Sequence, residues 1–127
     1  MEQEYIKGDI VVYDNGIHTI MDTLGINNYE LSCVKHPVHQ LELSGVPLTL
    51  EILEKNGWDF TGYQMDNNGS MLNICGKRDI LPCLYYYYST ENFIVYICGK
   101  VVLPNMKYIH ELQHLLFGFS INHEMEV

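Results

Sequence analysis

The sequence predicts an α+β fold, in which a small SH3-like antiparallel N-terminal unit is followed by a helix, a twisted antiparallel sheet and a C-terminal amphipathic helix. Three observations predict it: short runs of β-branched and aromatic residues separated by turn residues, a change to helical periodicity after residue 47, and a second such change before the C-terminus. On this basis we expect a β unit at 1–46 and a helix-sheet-helix unit at 47–127, with one compact domain as the alternative.

The N-terminal part carries the clearest strand signals. Asn15-Gly16 predicts a two-residue hairpin, because Asn and Gly tolerate the positive φ that a type I′ turn demands. The residues around it predict strands near 8–13, 17–24, 28–34 and 38–43. Four or five short strands that follow one another in this way are typical of an SH3-like half-barrel.

A short helix is predicted at 50–56. Thr49 is its expected N-cap, and Gly57 suits the left-handed position that follows the end of a helix. Trp58 would then fold back on Leu53 in a Schellman contact.

The remaining residues predict a meander of strands and a final helix. The strands are expected near 59–65, 70–75, 83–89, 92–98 and 100–103. The segment "PNMKYIHELQHLLFG" then predicts an amphipathic helix, with Asn105 as its cap and Gly118 as its end.

The composition is that of a folded protein with an acidic surface. Hydrophobic residues make up 47% of the 127 residues, and 16 acidic against 7 basic residues give a net charge of −9 at pH 7. Such a charge repels phosphate backbones, so direct binding of nucleic acid is not expected. No apolar stretch is long enough to cross a membrane and the N-terminus carries no signal segment, so we expect a cytoplasmic protein without a membrane partner.

No C-x-x-C pair occurs, and we interpret the cysteines as buried thiols: Cys33, Cys75, Cys83 and Cys98.

The segment "HELQH" near the C-terminus matches the H-E-x-x-H signature of zinc peptidases. In that chemistry His110 and His114 would bind zinc from one helical face, and Glu111 would deprotonate the metal-bound water. At roughly 100° per residue, however, the apolar residues of this helix centre about 180° from the bisector of the two histidines. We therefore expect both imidazoles to face solvent, with no catalytic residue, no metal and no cofactor, and the zinc hydrolase is the alternative. Phe117 and Ser120 also stand where the metzincin pattern has a glycine and a third histidine.

A second set of potential metal ligands, Cys33, His36 and His39, occurs in "CVKHPVH". In an extended chain, residues three apart point to opposite faces, so these side chains do not converge unless Pro37 bends the segment. We interpret them as loop histidines beside a buried thiol rather than as a zinc site.

The run "LYYYYS" could form an aromatic binding surface. Strand alternation places Tyr85 and Tyr87 on one face, and Tyr86 and Tyr88 on the other. We expect one pair to pack in the interior and the other pair to lie on the second face, where it is our first candidate for a binding surface.

Three segments, "IKGDIVVYDNGIHTI", "GVPLTLEILEKNGWDF" and "MKYIHELQHLLFGF", together resemble a family of uncharacterised small proteins from Bacteroidetes genomes and their prophages or conjugative elements. Members of that family carry "PLTEEILEKxGF" and "IKYVHxLQxLYF" motifs. The closing motif matches this chain at His110, Leu112, Gln113 and Leu115, whereas the family often has Asn in place of His114 and Gln in place of Glu111. The resemblance implies no established activity and does not require a metal site.

Taken together, the residues and the resemblance predict a non-enzymatic accessory or protein-interaction module of a mobile element or prophage. The expected partner is an unidentified protein, contacted through the acidic surface and the strand that carries the four tyrosines. A zinc hydrolase and a nucleic-acid-associated accessory protein are the alternatives.

Overall fold

The structure, a computed structural model, describes residues 4–65, 71–77, 82–88 and 90–127, and describes the side chains at these positions except within 60–75. In this part of the chain it has a mixed α and β fold, with two antiparallel sheets and two α-helices, as the sequence predicts. Its internal contacts define two compact units, Met1–Pro47 with Tyr108–Met125, and Leu48–Lys107 with Glu126–Val127.

The sheet of the first unit is antiparallel and curled, with the strand order β4-β3-β2-β1-β5. Its last strand returns to pair with the first, and a 3-10 turn at Gln40–Glu42 precedes that return. The five strands are Ile10–Tyr13 (β1), Gly16–Thr23 (β2), Asn28–Leu31 (β3), Val38–His39 (β4) and Ser44–Gly45 (β5).

The predicted β1-β2 hairpin is present, but its turn lies one residue earlier than expected. Tyr13 pairs with Gly16, so the two turn residues are Asp14 and Asn15 rather than Asn15 and Gly16. Asp14 has φ 48° and Asn15 has φ 63°, which are the left-handed conformations of a type I′ turn. Asp and Asn adopt that conformation more readily than other non-glycine residues, so either pair could form the turn.

The core of the first unit lies on the inner face of this sheet. Its fully buried side chains are Tyr5, Val11, Ile20, Tyr29, Leu31 and Val38. The C-terminal helix, Ile109–Gly118 (α2), contacts β1 and belongs to this unit. From the sequence this helix is expected in the same unit as the second sheet, because no local pattern indicates a partner about 100 residues away.

The second unit begins with the short helix Leu50–Lys55 (α1), which matches the prediction closely. The Thr49 hydroxyl accepts a hydrogen bond from Ile52 N at 3.2 Å and caps the helix. Gly57 has φ 88°, and Trp58 N donates to Leu53 O at 3.0 Å. Trp58 and Leu53 are both buried, so the predicted Schellman contact is confirmed.

The sheet of the second unit is an antiparallel meander with the order β10-β9-β8-β7-β6. Its strands agree with the predicted positions except that the last one is longer, and Ser70 and Ser89, at two predicted strand ends, lie outside the described residues. The strands are Asp59–Met65 (β6), Met71–Gly76 (β7), Cys83–Tyr87 (β8), Asn92–Ile97 (β9) and Lys100–Met106 (β10).

Helix α2 begins later than predicted, and Asn105 does not cap it. Residues up to Met106 continue β10, where Met106 is fully buried and pairs with Phe93. Pro104 is compatible with this strand because β10 is at the edge of its sheet. Tyr108 is the N-cap residue, and the Glu111 carboxylate accepts a hydrogen bond from Tyr108 N at 3.0 Å.

The expectation that the cysteines are buried is wrong for Cys33 and Cys98, which are both exposed. Each has a positive φ, 61° and 53°, which places it in a turn rather than in the core. Cys83 is partly buried, and the side chain of Cys75 lies outside the described residues. Neither helix of the described chain is long and apolar enough to cross a membrane.

Candidate functional site

Helix α2 turns a different face toward the protein from the one that the helical wheel predicts. Its buried residues are Ile109, His110, Leu112, Gln113 and Leu116. At about 100° per residue, the centre of this set lies roughly 80° from the predicted apolar centre. The expectation that both imidazoles face solvent is therefore wrong: His110 is only 7% exposed and His114 is partly buried.

Asp9 is the reason that His114 turns inward. The His114 Nε2 atom donates a hydrogen bond to Asp9 Oδ2 at 2.6 Å, and the Asp9 side chain is fully buried at the start of β1. Asp9 Oδ2 also accepts from Ile6 N at 2.9 Å, whereas Asp9 Oδ1 is buried without a partner. The hydrogen bond to Asp9 raises the pKa of His114, because a carboxylate favours the protonated imidazole.

Gln113 is fully buried and ties three parts of the first unit together. Its Oε1 accepts a hydrogen bond from Ile10 N at 2.9 Å. Its Nε2 donates to Gly8 O at 2.8 Å and to His123 O at 2.9 Å. A polar residue can therefore occupy the buried face of α2, because all of these bonds replace hydrogen bonds to water.

His110 lies between two tyrosine rings. The Tyr108 ring stacks on it with centroids 5.8 Å apart and planes at 15°, and the Tyr5 ring meets it edge-on at 5.1 Å. His110 Nδ1 is buried and has no hydrogen-bond partner. Burial lowers the pKa of His110, so its imidazole is neutral at pH 7.

The three residues of the H-E-x-x-H signature thus have distinct environments. His114 Nε2 bonds to Asp9, His110 lies against Tyr5 and Tyr108, and the Glu111 carboxylate caps α2. The two imidazole centroids are 5.7 Å apart at an interplanar angle of 70°. Within the described residues, no group of three or more His, Cys, Asp or Glu side chains is arranged to hold a metal ion. The zinc hydrolase stays an untested alternative.

The second set of potential metal ligands takes part in separate local contacts. His36 Nδ1 lies 3.1 Å from Pro37 O. His39 Nδ1 accepts from Leu41 N at 3.1 Å and caps the 3-10 turn, while Cys33 is exposed.

A small cleft lies beside His110. It has a volume of about 480 Å³, and its lining includes Glu4, Tyr5, Gly45, Tyr108, His110 and Glu111. Only glycine fits at position 45, because a Cβ atom there would lie 2.8 Å from the Tyr108 ring and 2.9 Å from His110 Cε1. Burial raises the pKa of Tyr5 to about 12, so this phenol is neutral.

The tyrosine strand lies in the middle of the second sheet. Tyr85 packs on Tyr96 with ring centroids 4.4 Å apart and ring planes tilted by 36°, and Tyr86 packs on Phe93 at 4.8 Å. Tyr85, Tyr86 and Tyr87 are partly buried, whereas Tyr88 is 42% exposed.

The two faces of this sheet differ in burial. One face includes Leu84, Phe93 and Val95, all almost completely buried. We call the other face the tyrosine face, defined by Tyr85, Tyr87, Ile94, Tyr96 and Val101, which share it through the pairing of β8, β9 and β10. The first four are partly exposed and Val101 is 51% exposed. The same pairing also places Cys83 and the buried Asn92 on this face. Its exposed part is thus mainly aromatic and aliphatic, whereas an open antiparallel face is usually polar.

Sequence reasoning missed Asp9, Gln113 and the interior position of His110. Asp9 is two residues before Val11, so strand alternation places both on the inner face, but an isolated carboxylate gives no signal of a partner in α2. Gln113 occurs in the closing motif of the resemblance, which is the one signal that could have singled it out.

Comparisons of the chain with protein-family models, with curated proteins and with solved structures gave no match.

Proposed function

We propose that this chain is a non-enzymatic accessory module that binds another protein through the tyrosine face. The observation that carries the proposal is the aromatic and aliphatic character of the open side of the second sheet. Tyrosine supplies a large apolar area together with a hydroxyl that can bond to a partner or to water, and it is enriched at protein interfaces. A connected patch of this kind is typical of an interaction site rather than of an ordinary solvated surface.

The net charge of −9 favours a partner with a basic surface, because complementary charge accelerates association and disfavours acidic partners. The proposal that the module belongs to a prophage or another mobile element is based on the sequence resemblance alone.

We further propose that the first sheet is an SH3-like half-barrel. Its order β4-β3-β2-β1-β5, in which the last strand returns to pair with the first after a 3-10 turn, supports this assignment. Such small barrels serve as binding scaffolds, so this fold is compatible with an accessory role.

The test compares proteins captured by the wild-type chain and by a Val101→Glu variant from extracts of the organism that encodes it. Val101 is exposed on an edge strand, so a glutamate there should leave the fold intact while placing a charge on the tyrosine face. A partner that is lost with Val101→Glu but kept with Leu41→Glu, a change at a more exposed position in the first unit, supports the proposal. If both variants retain the same partners as the wild type, the tyrosine face is not the interaction site.

A further inference from the structure

The lining of the cleft beside His110 is acidic. Glu4 and Glu111 line it, and no lysine or arginine is among the described residues of its lining. The N-terminus of α2 is close by and contributes about half a positive charge, which two carboxylates exceed. Burial keeps His110 neutral at pH 7, so it does not offset the negative charge. The cleft therefore favours a cation.

The aromatic lining adds a preference for a flat ligand. The Tyr108 ring is 41% exposed and stacks on His110, and the edge of the His110 ring at Cε1 lies against Gly45. A planar cation gains from contact with such a ring, and a guanidinium is both flatter and less strongly hydrated than an ammonium.

The buried imidazole provides an independent indication of a ligand. His110 is more than nine-tenths buried, lines the cleft, and has no partner for Nδ1. An unsatisfied buried polar atom is unfavourable, and a nearby N–H donor would remove that penalty. A guanidinium carries five N–H donors in a fixed plane, enough to bond to the imidazole and to a carboxylate together.

We propose that this cleft binds a guanidinium group, which donates a hydrogen bond to His110 Nδ1 and is held by the carboxylates of Glu4 and Glu111. The group could belong to a free small molecule or to an arginine side chain of a peptide, and the chemistry of recognition is the same for both. This site is separate from the tyrosine face and does not depend on the function proposed for that face.

The experiment is an NMR titration of the whole chain with N-acetyl-arginine amide, monitored through the backbone amides of Gly45, Tyr108 and Glu111. The matched control ligand is N-acetyl-citrulline amide, which has nearly the same shape and no charge. We expect saturable shifts with the arginine compound and none with the citrulline compound. Agmatine and a five-residue glycine peptide with a central arginine then separate the two sources, since tighter binding of agmatine indicates a free molecule and tighter binding of the peptide indicates a side chain.

The variant that tests the site is Glu4→Gln with Glu111→Gln. Glutamine at 111 can still accept the hydrogen bond from Tyr108 N, so the helix cap is kept while the charge is removed. The double variant should bind the arginine compound at least about tenfold more weakly, whereas Glu51→Gln, an exposed change in α1, should bind it as the wild type does. Equal shifts with the citrulline compound, no saturable shift with any guanidinium, or unchanged binding by the double variant would overturn the proposal.

Discussion

The carboxylate of Asp9 and the imidazole of His114 are 2.6 Å apart, although 105 positions separate them in the sequence. Asp9 is fully buried, so without His114 its charge would lie in the interior with a single remaining hydrogen bond from Ile6 N. This pair therefore links the start of β1 to α2, beside the hydrogen bonds of Gln113 to Gly8 and Ile10.

A double-mutant cycle should detect strong coupling between these two residues. We expect His114→Gln to reduce the free energy of unfolding by about 3 kcal/mol. This value is near the lower end of the losses caused by removing one partner of a buried ion pair, because His114 is partly exposed. In the background of Asp9→Asn, the same change should cost much less, since the buried charge is already absent. Urea unfolding of the four proteins measures the coupling, and additive effects would show that the hydrogen bond contributes little.

The two histidines of α2 should give a maximum of stability near pH 6.5. The pKa of His114 is raised in the folded protein. The stabilisation that this residue provides is therefore complete below pH 6.5, its pKa in the unfolded chain, and is lost as the pH rises through its folded pKa. The pKa of His110 is lowered, so its contribution is complete above 6.5 and is lost as the pH falls through its folded pKa. Urea unfolding between about pH 5 and about pH 8.5 measures both effects. The decline on the alkaline side should disappear in His114→Gln, and its persistence there would assign it to another group.

Replacing Gln113 with methionine should be strongly destabilising even though the two side chains have similar shapes. The change leaves Ile10 N and the carbonyls of Gly8 and His123 without their partner. We expect a loss of about 3 kcal/mol in the free energy of unfolding. Hydrogen exchange should therefore show faster opening at the Ile10 amide in the methionine variant than in the wild-type chain. Unchanged exchange at Ile10 would contradict the role of the Oε1 atom.

Two glycines at helix ends should respond differently to replacement by alanine. Gly57 has φ 88°, so Gly57→Ala forces a side chain into the left-handed region and should cost about 1 kcal/mol. Gly118 has no neighbour within 4 Å of an added Cβ, so Gly118→Ala should be neutral or stabilising by up to about 1 kcal/mol. Thermal unfolding of the two variants measures the difference, and equal effects would argue against the Schellman ending of α1.

Local sequence patterns were sufficient for the elements whose causes are local. The cap at Thr49, the left-handed Gly57 and the return of Trp58 onto Leu53 all arise within ten residues, and the structure has each of them. The turn of the β1-β2 hairpin lies one residue earlier because Tyr13 pairs with Gly16, and Asp14 and Asn15 tolerate the positive φ that this register requires.

The environment of α2 depends on residues that are distant in the sequence and could not be predicted in this way. A helical wheel counts apolar residues, so it assigns Gln113 and His110 to the solvent side. Gln113 is buried because backbone groups near Gly8 and Ile10 satisfy its amide, and His114 turns inward because Asp9 accepts its hydrogen bond. The tyrosine run predicted an aromatic strand, but only the register of β8, β9 and β10 identifies the residues that share its open face.

The three hydrogen bonds of Gln113 have a consequence for the order in which the chain matures during translation. The second unit is almost continuous in sequence and is complete once residue 107 has left the ribosome, apart from its final two residues. The first unit must wait for α2, because contacts at a separation of 103 residues or more cannot form until Ile109–Gly118 has been synthesised. Until then the nascent N-terminal sheet lacks its contact with α2, and the backbone amide of Ile10 lacks its partner.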